Sequence, residues 1–396
     1  MSNTRDGKSF MLFLGGLSGL GPMAIDMGLP GLPAIESEIS HAAGQGALVL
    51  SVFLAGFSVA PIVCGPLADR FGRRALLIGG MSLFAIAAAL FALSSSWTLL
   101  LAARLLQGFA AGACAALPVA VLRDLYTGPA ARSRMAQVVS VQGIAPIAAP
   151  VLGGMILLLT HWRAIYVVQA ILGLLLLLYA IFLFRESLPA DMRRPLHPAA
   201  LAETYAMVLK DAGLRRHALI YGFAFACMFT YIAAAANAYV GQFGMSETLF
   251  AVVFAASSMG IVAGAQLNAR LTRRGLSGPR LIRSGLGLML ASVLAINLLN
   301  VTGGLHVAAL AVLAGLVVFS FGLLAPAANH EALLNLGHVA GAASGVMRCL
   351  QMLLGSLASA ASVVLPAGIT ATSSMALLML AMAILACLAG WRYERK

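Results

Sequence analysis

The sequence predicts an all-helical membrane protein with twelve transmembrane helices, and two observations carry that prediction. The 396 residues are 61% hydrophobic and 10% charged, whereas a soluble domain carries roughly 25% charged residues. Apolar runs of about 20 residues, the length of helix that crosses a bilayer, recur along the whole chain. The 41 glycines suit such helices, because small side chains let helices pack closely inside a membrane.

Twelve apolar runs qualify as spans, and the loops between them are short with one exception. The polar segment 185–215 is the long linker, and it separates residues 1–184 from residues 216–396. We therefore predict two pseudo-symmetric six-helix bundles joined by a cytoplasmic linker. The predicted spans cover residues 10–34, 46–67, 75–94, 97–122, 134–158, 162–184, 216–240, 247–269, 281–301, 305–327, 340–366 and 371–391.

A degraded internal repeat supports the division into two halves. The string Leu67-Ala-Asp-Arg-Phe-Gly-Arg-Arg74 returns as Leu267-Asn-Ala-Arg-Leu-Thr-Arg-Arg274, each time after the second span of its half. Two like halves around a site near the bilayer midplane are the design of carriers that expose one site alternately to either side.

The net charge of +12 lies mainly in alternate loops. These basic clusters have no interleaved aromatic residues, so the positive-inside rule accounts for them and no nucleic-acid partner is expected. The alternation predicts that both termini lie in the cytoplasm. The five cysteines fall within predicted spans, and neither C-x-x-C nor H-E-x-x-H occurs, so we expect no disulfide framework and no metal site.

The sequence lacks the motifs that are typical of other classes of membrane protein. An ATP-driven pump needs G-x-x-x-x-G-K-[ST], and Lys8, Lys210 and Lys396, the three lysines, lie outside that context. A channel needs repeated polar filters, and a membrane-embedded enzyme needs clustered catalytic acids, histidines or metal ligands. The sequence therefore favours a secondary transporter, with lipid, protons and a small molecule as its partners and the proton gradient in place of a cofactor. A membrane-embedded enzyme is the remote alternative.

Asp26 is the one acid in the apolar run from Phe10 to Pro33. A charge at membrane depth costs about 2.5–3.5 kcal/mol on insertion scales, so we interpret Asp26 as a carrier of protons. A rise of about 1.5 Å per residue puts Arg104 of the fourth run at a compatible depth, where its charge can tune the acid. Two alternatives stay open: a static Asp26–Arg104 ion pair, and an Asp26 that meets water near the outer surface.

The loop between the second and third runs carries glycines, an acid and three arginines. Its glycines permit a tight reversal of the chain, and Asp69 can pair with Arg70 or cap a neighbouring helix. With two residues at the end of the fourth run, this loop is interpreted as a latch at the cytoplasmic edge; ordinary surface ion pairs, which contribute little, are the alternative. The residues concerned are Gly65, Asp69, Arg70, Gly72, Arg73, Arg74, Arg123 and Asp124.

The fifth run is rich in glycine and proline. Proline removes a backbone donor and small residues allow close approach, so this helix can bend against a neighbour; simple tight packing is the alternative. The residues concerned are Gly143, Pro146, Pro150, Gly153 and Gly154.

Four polar or amphipathic residues within apolar runs are candidates for contact with a neutral substrate. They are Gln142, Tyr231, Asn237 and Tyr239. Tyr239 can equally be an interfacial anchor, because aromatic side chains are enriched at the ends of spans.

Several of these strings resemble those of a known family. The loop 65–74 closely resembles the G-x-L-A-D-R-x-G-R-R/K signature of the major facilitator superfamily. The stretch 103–112 resembles the family's fourth-span motif, and 143–154 resembles its fifth-span antiporter motif. Asp26-Met-Gly-Leu-Pro30-Gly-Leu-Pro33 and Arg123-Asp124-Leu-Tyr126 resemble the drug/proton antiporters of the bicyclomycin and chloramphenicol resistance type.

The resemblance implies proton-coupled efflux of small, mostly lipophilic drugs, chloramphenicol-like or multidrug, by a monomer in the bacterial inner membrane. The alternative is proton-coupled transport of a natural metabolite such as a nucleoside or a sugar. Some relatives carry a second acid about two turns before Asp26, where this chain reads Gly16-Leu-Ser18-Gly19. That difference weakens the implication that lipophilic cations are exported.

Overall fold

The computed structural model describes residues 7–39, 45–193, 197–364 and 370–391. Within these ranges every regular element is helical, and twelve helical stretches are long and apolar enough to cross a membrane. The predicted twelve-span, all-helical class is therefore confirmed. The helices are α1 (Lys8–Asp26), α2 (Leu32–Glu38), α3 (Gly46–Phe71), α4 (Arg73–Leu93), α5 (Trp97–Ala115), α6 (Leu117–Leu125), α7 (Gly128–Leu159), α8 (Trp162–Phe182), α9 (Pro198–Lys210), α10 (Ala212–Ala236), α11 (Glu247–Arg273), α12 (Gly278–Val301), α13 (Val307–Leu333), α14 (Ala340–Val364) and α15 (Ala371–Trp391).

Three spans are interrupted rather than straight helices. The first consists of α1 and α2 with a 3₁₀ turn, Leu29–Gly31, between them. The fourth changes from α5 to α6 just before Pro118, and the seventh ends in a π-helical turn, Asn237–Gln242. Such interruptions free backbone groups that must find other partners, because lipid offers none.

The same pairs of helices pack together in the two groups of six spans. In the first group α3 lies against α5, and in the second α11 lies against α13. Both contacts depend on glycine: a Cβ at Gly108 would overlap the carbonyl oxygen of Phe53, and a Cβ at Gly322 would overlap that of Ile261. Backbones this close leave no room for a side chain between the helices.

The two groups meet where α3 packs on α14 and α7 packs on α11. Ser356 donates to the carbonyl oxygen of Ser51 at 2.8 Å, and Ser359 donates to that of Ala47 at 3.1 Å. These bonds lie near the start of α3. We call the end of the molecule that carries them the opposite end, and the end that carries Asp69 and Arg73 the basic end.

The linker contains a helix, α9, that packs against α10 and α14 through the buried Val208. The Tyr205 hydroxyl of α9 donates to the carbonyl oxygen of Ile62 in α3 at 3.1 Å. In an unbroken helix that carbonyl would bond the amide of residue 66, but residue 66 is Pro66 and has no N–H. Tyr205 thus satisfies a backbone group that proline leaves open, and it ties the linker to the first half.

Candidate functional site

The first span loses its regular helix immediately after Asp26. Two prolines account for the interruption, since Pro30 lies in the 3₁₀ turn and Pro33 lies in the first turn of α2. A proline cannot donate to the preceding turn but is tolerated where a helix begins. The chain therefore restarts twice within a few residues, and Asp26 is the last residue of α1.

Asp26 is buried, with 7% of its surface exposed. Among the described residues its carboxylate takes part in no hydrogen bond and no ion pair. A buried carboxylate normally has partners, because an uncompensated charge away from water costs several kcal/mol. The surroundings of Asp26 in this conformation therefore suit the uncharged acid.

Arg104 of α5 is fully buried and donates to a backbone carbonyl near Asp26 rather than to its carboxylate. One nitrogen, Nη2, lies 2.9 Å from the carbonyl oxygen of Ala24, and Nη1 lies 2.7 Å from Gln107 Oε1. The described ion pairs do not include Arg104 with Asp26, so the static ion pair that was one alternative is not formed here. The reason is local: the amide of Gly28 bonds Ile25 at 3.1 Å, which leaves Ala24 without its usual helical donor.

A closed ring of hydrogen bonds joins α1, α5 and α8 at this point. Gln107 Nε2 donates to Gln169 Oε1 at 2.8 Å, and Gln169 Nε2 donates to the Ala24 carbonyl oxygen at 3.4 Å. Gln169 is fully buried and was missed by the sequence analysis. A single amide in the otherwise apolar run of α8 was the signal that could have indicated it.

Aromatic rings surround the Arg104 guanidinium. Its carbon Cζ lies 4.6 Å from the ring centre of Phe53, 5.4 Å from that of Tyr166 and 5.7 Å from that of Phe91. Ring faces attract a desolvated cation, so they compensate part of the buried charge. Two polar atoms in this cage, Arg104 Nε and the Tyr166 hydroxyl, have no hydrogen-bond partner in the described structure.

Glycines of α7 connect this site to both halves of the molecule. A Cβ at Gly153 would overlap the backbone carbonyl of Met27, the residue after Asp26. A Cβ at Gly154 would lie 2.8 Å from the Ala251 Cβ of α11, across the interface between the halves. By contrast, a Cβ at Gly143 would meet nothing within 4 Å. Among the glycines of the predicted motif, the last two therefore make the close contacts.

The prolines of that motif lie inside α7 and leave two carbonyls without helical donors. Pro146 and Pro150 have no N–H to offer to the carbonyls of Gln142 and of Pro146 itself. α7 nevertheless continues to Leu159. The prediction that this helix bends against a neighbour stays a prediction.

At the basic end, Arg73 is the centre of the ion pairs. Its Nη1 lies 2.5 Å from Asp69 Oδ1, and its Nε lies 3.1 Å from Asp124 Oδ2. The sequence analysis gave Asp69 two alternatives, Arg70 or the start of a neighbouring helix, and the structure pairs it with Arg73, the first residue of α4. The side chains of Arg70 and Arg123 make no hydrogen bond or ion pair within the described residues. Asp69 lies in the last turn of α3 and Arg73 begins α4, so the break at Gly72 between the two helices brings their side chains together.

The turn at the basic end also differs from its prediction. Gly65 lies inside α3, which runs on to Phe71, so Gly72 alone makes the reversal, with φ of 94°. Glu186 then accepts hydrogen bonds from the amides of Arg73 and Arg74 at 2.9 and 3.1 Å. An acid is favoured at a helix N-terminus, and Glu186 was not among the predicted latch residues.

The four candidate substrate residues occupy different places. Tyr231 and Tyr239 are fully buried, with the Tyr231 hydroxyl 3.5 Å from Ser257 Oγ. Asn237 Nδ2 donates to Glu36 Oε1 at 3.1 Å, a contact between the halves at the opposite end. Gln142 is half-buried in α7. Their contact with substrate stays a prediction. Within the described ranges no group of three or more His, Cys, Asp or Glu side chains is placed to hold a metal ion.

Twelve spans, two like groups of six and a buried acid at a broken span define a multi-pass membrane transporter. Residues 12–360 match the family model described as Major Facilitator Superfamily, and this chain belongs to that superfamily. The predicted family is therefore confirmed. Members of this family are transporters rather than enzymes, so the enzyme alternative is set aside.

Two curated relatives and one solved structure illustrate the likeness. The "Uncharacterized MFS-type transporter YdgK" of Bacillus subtilis is 32% identical over 87% of this chain and 86% of its own length. The "Bicyclomycin resistance protein homolog" of Haemophilus influenzae is 28% identical over 67% of each chain. The crystal structure of a D-xylose-proton symporter has a TM-score of 0.71 at 16% identity and covers 98% of both chains, which shows a shared fold.

Proposed function

We propose that this transporter exports small, mostly lipophilic drugs in exchange for protons, by alternating access across the bacterial inner membrane. The basic end faces the cytoplasm in this proposal, in accord with the positive-inside rule. The printed name of the Haemophilus influenzae relative, a bicyclomycin resistance protein homolog, supports a drug substrate.

The observation that carries the proton coupling is the buried and unpartnered state of Asp26 at the break in the first span. Loss of its proton would leave a charge without compensation in this conformation. The free energy of burying that charge is a few kcal/mol. A difference of about 1.4 kcal/mol already changes an equilibrium tenfold, so ionisation of this one group can shift the population of conformations.

The contacts of α7 give that shift a route to the interface between the halves. The turn after Asp26 lies against Gly153, and the neighbouring Gly154 lies against Ala251 of α11. Any movement of Met27 must therefore move α7 or clash with it, because there is no free space between their backbones. Protonation of Asp26 is in this way linked to the arrangement of the two halves.

The ends of the molecule fit the same cycle. The opposite end is held closed in this conformation by the bonds from Asn237 to Glu36 and from Ser359 to Ala47. At the basic end Arg73 joins Asp69 and Asp124, both in the first half. These ion pairs keep the first half rigid while the halves rotate against each other.

The substrate class follows from the charges of the first span. Asp26 is the single acid of α1, and Gly16 and Ser18 occupy the region where some relatives carry another. A cationic drug is held more easily where a further carboxylate lines the cavity, and α1 offers none besides Asp26, which carries the proton in this proposal. Neutral lipophilic drugs are therefore the favoured cargo.

The test uses purified protein in liposomes and a bacterial strain that lacks its own drug pumps. Wild-type protein should move chloramphenicol against its gradient when the pH gradient drives it, and should raise the tolerated drug concentration in cells. Asp26→Asn should abolish both effects, because an amide neither takes up nor releases a proton at the pH of the assay. Asp191→Asn, the same change at an exposed linker position, should leave them intact.

Two outcomes would count against the proposal. Full pH-driven transport by Asp26→Asn would remove Asp26 from the coupling. Uphill transport of a nucleoside or sugar, with no effect on drugs, would favour the alternative of a metabolite transporter.

A further inference from the structure

We propose that Tyr166 and Gln169 of α8 complete the proton site. When Asp26 is ionised, the Tyr166 hydroxyl donates a hydrogen bond to its carboxylate. Gln169 keeps the Ala24 carbonyl hydrogen-bonded while Arg104 turns from that carbonyl to the same carboxylate. This inference rests on the proposed proton coupling of Asp26. It assigns a function to α8, which contributes none of the predicted site residues.

The first step concerns the unused donors. Arg104 Nε and the Tyr166 hydroxyl are both buried and both without a hydrogen-bond partner in the described structure, and the guanidinium carbon lies 5.4 Å from the Tyr166 ring centre. Buried donors are nearly always satisfied in a stable protein. Two donors without a partner in the same cage indicate that an acceptor reaches them in another conformation.

The second step identifies that acceptor. A Cβ built on Gly28 would lie 3.0 Å from the Tyr166 hydroxyl oxygen, so this hydroxyl lies beside the turn that follows Asp26. The carboxylate of Asp26 is the buried acceptor without a partner at the same turn. One rearrangement of the turn can therefore satisfy the acid and both donors together, and it is favourable only when the acid is ionised.

The third step explains Gln169. If Arg104 left Ala24 for the carboxylate, the Ala24 carbonyl would lose its strongest donor in a setting where lipid offers none. Gln169 Nε2 already lies 3.4 Å from that oxygen, and its own carbonyl is held by Gln107 at 2.8 Å. The amide is thus placed to shorten this bond as the guanidinium departs, and the helix end stays capped.

The other ionisable groups near the break do not offer the same partner. Arg104 on α5 and Tyr166 on α8 are the ionisable side chains of the cage, and α7 presents glycine there. α10 and α11, which lie near Leu29–Gly31, carry Tyr231 and Glu247. Tyr239, whose buried hydroxyl also has no partner in the described structure, belongs to the π turn, which packs against α2. Tyr231 bonds Ser257, and an acid such as Glu247 cannot donate to a carboxylate when ionised.

The experiment follows the infrared carboxyl band of Asp26 in the full-length protein as the pH is varied, without any transported substrate. The band is assigned by its absence from Asp26→Asn. Removal of a donor to the charged form lets the acid hold its proton to higher pH. Tyr166→Phe should therefore move the titration midpoint upward by about one pH unit, and Gln169→Leu should move it in the same direction. Tyr179→Phe, the same change in the part of α8 where the ring stacks on Phe13 at 4.4 Å, should leave the midpoint unchanged.

The outcomes separate this inference from the proposed function. An unchanged midpoint in Tyr166→Phe, with a normal band in wild type, overturns the inference and leaves the coupling by Asp26 standing. A shifted midpoint without pH-driven transport in liposomes supports the cage and contradicts the proposed function. If Tyr166→Phe fails to purify as a monodisperse protein, the midpoint of Gln169→Leu decides.

Discussion

The Nη2 atom of Arg104 donates to the carbonyl oxygen of Ala24 at 2.9 Å, and this bond places a cation at the end of helix α1. The carbonyl end of a helix carries partial negative charge, and a cation there is worth about 0.3–1 kcal/mol at exposed sites and up to about 2 when partly buried. Arg104 therefore caps the broken first span in this conformation. Because Arg104 bonds Ala24, it does not neutralise Asp26, and the carboxyl group of Asp26 stays uncharged by holding its proton.

We predict that Arg104→Lys abolishes transport although it keeps the charge. A lysine ammonium has neither the planar fork that bonds Gln107 and Ala24 together nor the flat face that stacks on Phe53. The free energy of unfolding should fall by about 1–3 kcal/mol, because the buried Ala24 carbonyl loses its hydrogen-bond donor. Thermal unfolding and drug transport in liposomes measure the two effects.

The control for that change is Arg348→Lys. Arg348 is exposed and makes one described hydrogen bond, to Gln351 at 3.3 Å, so lysine should be tolerated there. Equal losses in the two variants would show that the cage around Arg104 has no special role.

We predict that Gly153→Ala impairs transport far more than Gly143→Ala, on the same helix. The new methyl group at 153 would overlap the backbone of Met27, and forced overpacking costs about 1–3 kcal/mol. At 143 it meets open space, and alanine favours a helix over glycine by roughly 0.5–1 kcal/mol. Melting temperature and pH-driven transport should both fall for Gly153→Ala only; comparable values for the pair would contradict the close contact.

We predict that Arg73→Gln slows transport whereas Arg70→Gln leaves it nearly unchanged. Arg73 bonds Asp69 and Asp124, and glutamine at this position cannot neutralise both acids. Because Asp69 is partly exposed, the stability loss should be modest, roughly 1 kcal/mol. Initial transport rates at saturating drug are the measurement, with substrate affinity expected to stay constant; identical rates for the two variants would argue for ordinary surface ion pairs.

We predict that Tyr205→Phe loosens the linker helix α9. Burial raises the pKa of the Tyr205 hydroxyl, so it remains a neutral donor to Ile62 at physiological pH. Loss of one such bond costs about 0.5–1.5 kcal/mol, and roughly 1 kcal/mol increases the undocked population about fivefold. Trypsin cleavage after Lys210 should accelerate accordingly. Thr204→Ala, whose hydroxyl bonds only Ala200 within α9, should be cleaved at the wild-type rate.

The position of the latch residues shows how far sequence reasoning could go. The loop string indicated a cluster of acids and arginines, and the structure contains one. The string could not choose between Arg70 and a neighbouring helix as the partner of Asp69; the structure uses Arg73 at the start of α4, across the turn at Gly72. Glu186 could not be assigned at all, since it reaches Arg73 from 113 residues away.

The same contrast holds at the first span. The uniformly apolar composition of residues 10–34 predicts one span, whereas Pro30 and Pro33 are the local cause of the interruption after Asp26. Gln169 gave only the weak signal of one amide in an apolar run. Its importance depends on which face of α8 meets α5 and α1, and hydropathy does not encode that orientation.

The sequence alone determined the transporter class, the twelve spans and the presence of a lone acid in the first of them. These are local properties, since the free energy of placing a segment in lipid depends on its own length and side chains. Only the tertiary structure decided that Arg104 bonds Ala24 rather than Asp26 and that Gln169 joins them from 145 residues away. Such contacts depend on how the helices pack and on which backbone carbonyls lack an N–H donor within their own helix. No segment of the sequence specifies either by itself.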